Sequence, residues 1–117
     1  MKARAPGKLV LSGAYAVLEG APAIVAAADR YVVADSSRPA GFITPEVRAA
    51  LPSGPWPAFD ASPLREGDRK LGLGSSAAIL VASLAALELE RDPELAAAEL
   101  AERVFRPALV AHREAQG

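Results

Sequence analysis

Apolar residues follow two different rhythms along this chain. Early on, valine, isoleucine and tyrosine gather in short runs that Gly13, Gly20 and Pro22 punctuate, and the spacing predicts strands over residues 8–11 and 23–34. Between them, Tyr15 to Leu18 fits either a short helical turn or an irregular crossing. From Ser36 to Asp68, Pro39, Pro45, Pro52, Pro55, Pro57 and Pro63 break any periodicity, so this stretch reads as mostly loop. Inside it, Thr44-Pro45-Glu46 supplies the N-cap and first-position proline of a short helix through Val47 to Leu51. Trp56 and Phe59 are expected to pin the loop onto the core.

The second rhythm is helical. Ser75 or Ser76 suits the cap of a helix running to about Arg91, apolar almost all round at Ala77, Ala78, Ile79, Leu80, Val81, Leu84, Ala85 and Leu87. A helix of that kind has to be buried. Asp92-Pro93-Glu94 then supplies the N-cap, first-position proline and early acid of another helix, with Glu99 and Arg103, and Glu102 and Arg106, at four-residue spacing. Pro107 is expected to kink or interrupt it. Its apolar positions Leu95, Val104, Phe105, Leu109 and Val110 read as core contacts.

Composition narrows the function. A chain of 117 residues suffices for one domain with a real core. Thirteen basic against 14 acidic side chains leave a net charge of -1, so no general basic field attracts nucleic acid or an anionic membrane. Without cysteine there is no disulfide framework or thiolate metal site. The basic start at Lys2 and Arg4 resembles a signal peptide, but Pro6, Gly7 and Lys8 interrupt it before an apolar run develops. Ala77 to Leu87, the most apolar stretch, falls well short of the ~20 residues that span a bilayer. A cytoplasmic protein with neither nucleic acid nor membrane as partner is the expectation.

The candidate chemistry lies in Gly72-Leu73-Gly74-Ser75-Ser76-Ala77-Ala78, a glycine-rich turn opening into the buried helix. Glycines admit close backbone approach, and free N–H groups with the helix dipole favour an anion such as phosphate. The serine hydroxyls could add hydrogen bonds to phosphate or an oxygen ligand for Mg²⁺. No Lys-Ser/Thr follows the glycines as in a Walker A loop, and the third glycine of the dinucleotide fingerprint is missing. Two readings stay open from these residues alone: an anion site, or a turn that caps a core helix.

A second segment, Ala5-Pro6-Gly7-Lys8-Leu9-Val10-Leu11-Ser12-Gly13-Ala14-Tyr15-Ala16-Val17-Leu18-Glu19-Gly20, joins the first. The pair resembles the signatures of the GHMP kinase superfamily, which includes galactokinases and homoserine, mevalonate and phosphomevalonate kinases. The two glycine segments look closest to phosphomevalonate kinases, and His112 to Gly117 resembles their next helix end. The resemblance implies an α+β fold like ribosomal protein S5 domain 2, with residues 1–117 as the N-terminal ATP-binding domain. It implies ATP and Mg²⁺ as cofactors, and phosphoryl transfer to phosphomevalonate, or alternatively mevalonate, in isoprenoid biosynthesis. Gly72, Leu73, Gly74, Ser75, Ser76 and Ala77 match the phosphate loop, and Ser76 the residue facing Mg²⁺. Lys8 matches the first-strand lysine at the acceptor side, where a cation offsets developing charge. The same lysine also suits a solvated strand end. Lys70 supports an anionic ligand or forms a solvated charge pair with Arg69. His112 is no more than a weak acid–base candidate and receives no catalytic role.

The sequence departs from the family in three ways. Ala14 stands where many relatives carry glutamate, and the spacer between the motifs is short, so the acceptor pocket is expected to differ. The chain stops at Gly117, before the family's G-S-G-x-D-x-A aspartate and its second domain, which implies little activity alone. A non-catalytic nucleotide-binding remnant is the competing expectation, with self-association or a complementary C-terminal chain covering the exposed surface.

Overall fold

The structure, a computed structural model, describes residues 1–12, 24–66, 69–70 and 74–116. Strand β1 (Lys2–Ser12) pairs antiparallel with β2 (Ile24–Pro39), which pairs antiparallel with β3 (Pro57–Asp60), in the order β1-β2-β3. From Lys2 to Lys8 the even positions are exposed while Ala3, Ala5 and Gly7 are buried. Ala3 lies opposite Ala34 and Ala5 opposite Val32, so small side chains meet on the buried face. Both strands outrun the expected spans. Alternating alanine with charge is a weak strand signal by propensity, and pairing with a neighbour supplies what propensity does not.

β3 falls where loop is expected. Its proline, Pro57, is its first residue and Pro39 is the last of β2, positions where a missing N–H disturbs the ladder least. Helix α1 (Pro45–Ala50) forms as expected, with Thr44 Oγ1 accepting from the Val47 N–H at 3.2 Å. Trp56 and Phe59 pack against the core, and Trp56 Nε1 donates to the Leu51 carbonyl at 2.7 Å. Asp35 accepts from Ser37, and Asp60 from Ser62, and these bonds hold both carboxyls below the usual range. A 3-10 turn buries Leu64, and a short hairpin follows, β4 (Arg65–Glu66) with β5 (Arg69–Lys70). Tyr15 to Leu18 lies outside the described residues.

Helix α2 (Ser75–Arg91) lies against β1 and β2 and also meets α3 (Ala97–Gln116). Its buried positions form adjoining rows, Ala78, Ala82 and Ala86 beside Ile79 and Ser83, with Leu80 completing the enclosure. The small residues permit close approach to the alanine-lined sheet. The result is a small α+β domain of one three-stranded antiparallel sheet and three helices, with the β4–β5 hairpin beside them, among the described residues. No helix among those residues is long and apolar enough to cross a membrane.

The second half departs from expectation at five points. Gly74, at φ 71°, is the N-cap of α2 and offers no side-chain cap, so Ser75 and Ser76 occupy the first turn instead of capping it. Asp92 closes α2 by donating its N–H to Glu88, which leaves Pro93 in a turn and delays α3 to Ala97. The helix continues through Pro107, with Val104, Ala108 and Ala111 buried on either side of it at four- and three-residue intervals. Arg103 reaches across to Glu88 at 3.7 Å and Asp92 at 3.9 Å rather than pairing with Glu99. Of the expected core residues Val104 is buried, whereas Phe105, Leu109 and Val110 are 68%, 38% and 49% exposed. Ala108 and Ala111 face the core in their place.

Ser83 Oγ is fully buried without a hydrogen-bond partner among the described residues. Such a hydroxyl costs about 1–3 kcal/mol, so Ser83→Ala should raise unfolding free energy by about 1 kcal/mol. Leu80→Ala at the same core should lower it by about 2–5 kcal/mol. Urea unfolding measures both, and a destabilising Ser83→Ala would contradict the packing described.

Candidate functional site

The site is built where β1 passes the start of α2. Register shifts between Pro6 and Lys8 against β2, and Lys8 lies opposite Ala27. Its aliphatic stem crosses Gly74: a Cβ placed there would lie 3.1 Å from Lys8 Cγ and 3.2 Å from Cε. Two independent constraints therefore select glycine at this position. The left-handed φ of 71° disfavours any side chain, and the lysine stem occupies the space a Cβ would take.

The ammonium lies one C–N bond of about 1.5 Å beyond Cε, which keeps the charge beside the helix terminus. The first N–H groups of a helix have no intrahelical acceptor. Here the N-cap Gly74 offers no side-chain cap, and Ser75 and Ser76 stand half-buried in the same turn. Dipole, N–H groups, hydroxyls and an ammonium thus converge on one anion-attracting position. A pocket of about 220 Å³ adjoins it, lined by Ala5, Pro6, Lys8, Gly74, Ala77 and Val81 among others.

Of the expected site residues, the structure brings Lys8, Gly74, Ser75, Ser76 and Ala77 into one neighbourhood. Gly72 and Leu73 lie outside the described residues, and Lys70 ends β5. A larger groove of about 580 Å³ also reaches Lys8, between β1, α2 and α3, with His112 and Phe105 on its wall. Arg4 also lines it and places its guanidinium 4.4 Å from the Tyr31 ring. Sequence reasoning missed Arg4 and Val81. The strand alternation that places Lys2, Arg4 and Lys8 on one face was the available signal for Arg4.

Mg²⁺ fits this donor set only with help from a ligand. Ser76 offers a hydroxyl oxygen, and among the described residues no group of three or more Asp, Glu or His side chains could hold a metal ion. Comparison with protein-family models, with curated proteins and with solved structures returns no match to this chain.

The apposition of Lys8 and Gly74 makes a quantitative prediction. Gly74→Ala should destabilise by about 1–2 kcal/mol through its backbone alone, with a further steric cost that disappears when Lys8→Ala removes the stem. Urea unfolding of both single variants and the double variant should give a coupling of about 0.5 kcal/mol or more. Strictly additive effects would place the lysine elsewhere.

Proposed function

We propose that the chain is the N-terminal ATP-binding part of a GHMP-type small-molecule kinase, with the S5 domain 2-like fold of that superfamily. The acceptor is phosphomevalonate, with mevalonate as the alternative. The observation that supports this reading is the Lys8 stem lying across Gly74 at the start of α2. It joins the two segments that carry the resemblance, although they are more than sixty residues apart in sequence.

In this reading the N–H groups of the first turn of α2 receive the terminal phosphates of ATP, and Ser75 and Ser76 add hydroxyl hydrogen bonds. Ser76 would offer a hydroxyl oxygen to Mg²⁺, and the ion would supply charge neutralisation for the phosphates. Lys8 holds positive charge on the acceptor side, where negative charge builds as the phosphoryl group moves.

One observation favours a second, non-catalytic reading. Among the described residues, neither pocket beside Lys8 is lined by a carboxylate that could take a proton from an acceptor hydroxyl. In that reading the chain binds nucleotide without transferring a phosphoryl group.

Isothermal calorimetry with Mg-ATP tests nucleotide binding directly. Saturable binding is expected, weakened about ten-fold by Ser76→Ala, and by a similar factor by Lys8→Ala, which removes one charge-assisted contact. Absence of binding by folded protein would overturn both readings. Binding without phosphoryl transfer to either acceptor would select the non-catalytic one.

A further inference from the structure

Helix α3 carries an uncovered apolar strip beside a row of charges, and the two together are self-complementary. Ala98, Ala101, Phe105 and Leu109 recur at three- and four-residue intervals and are all exposed, so they form one face. The groove of about 580 Å³ runs alongside, lined in part by Ala97, Ala101 and Ala108 of α3 and Ala77 of α2, and its volume exceeds that of an aromatic side chain.

Next to the strip stand Glu99, Glu102, Arg106 and Arg113, all exposed. At about 100° per residue they fall within a band of about 60° on the helix surface. Glu102 and Arg106 are four residues apart, yet among the described residues the ion pairs of α3 run from Arg103 to Glu88 and Asp92. Acid, acid, base, base is an order that becomes its own complement when a second helix runs the opposite way.

We propose that the chain pairs with a second copy of itself through α3, antiparallel, about a two-fold axis near Phe105. The partner's Phe105 enters the groove, Glu102 faces the partner's Arg106, and Glu99 faces the partner's Arg113. With the axis at Phe105, each pair departs from exact register by two residues, about 3 Å along the helix, which an arginine side chain spans. The two-fold repeats every contact, giving four ion pairs around one apolar centre. An unrelated partner would have no need of this palindromic order. The strip follows a single helix, so the interface lies at the small end of specific contacts and the dimer should dissociate at micromolar concentration. The proposal goes beyond the nucleotide reading and does not depend on it.

Sedimentation equilibrium over a concentration series tests it, with circular dichroism confirming that each variant folds. Wild-type protein should dimerise reversibly, and Phe105→Ser should abolish the dimer. Glu102→Arg alone and Arg106→Glu alone should each weaken self-association about ten-fold or more, because every copy then opposes like charges. An equimolar mixture of these two variants should recover wild-type affinity, since each supplies what the other lacks. An effect inside one helix cannot be rescued by mixing. A wild-type monomer at all concentrations, a dimer indifferent to Phe105→Ser, or a mixture that fails to associate would each overturn the proposal.

Discussion

Everything in this domain depends on burying helix α2. Its buried side chains cover more than half of the helix surface, so sheet and neighbouring helices have to enclose it together. Close approach to the sheet is possible because Ala3, Ala5 and Ala34 line the facing strands. With α2 fixed in both rotation and height, its first turn comes to rest beside Lys8. The candidate site is thus a consequence of core packing, not of loop geometry alone.

The same close packing explains the outer surface. Where alanines of α3 face the core, the larger Phe105, Leu109 and Val110 remain outside. Arg103, turned toward α2, ties the helices through Glu88 and Asp92, and Gln116 Nε2 donates to the buried Glu46 at 3.2 Å. Exposed ion pairs of this kind contribute little to stability, typically less than about 1 kcal/mol each.

Much of the fold was legible where local chemistry decides. Thr44-Pro45 placed α1, and the unbroken apolar run placed α2, because capping and burial act over a few residues. What failed depended on distant partners. The full length of β1 and the existence of β3 come from pairing with β2, and Asp92-Pro93 reads as a helix start until α2 claims Asp92 as its end. At the site, glycine and serine near a helix start were legible, and so was Lys8 as a candidate. That the Lys8 stem selects glycine at position 74 was not, since no spacing rule reports a contact between residues so far apart.

The central claim is that Lys8 and the first turn of α2 act as one anion site. Amide chemical shifts of ¹⁵N-labelled protein titrated with Mg-ATP test it residue by residue. The largest saturable changes are expected at Lys8, Ser75, Ser76 and Ala77, with those of Ala101 and Leu109 in the neighbouring groove much smaller. Changes centred on the groove, or none at saturating nucleotide, would contradict it.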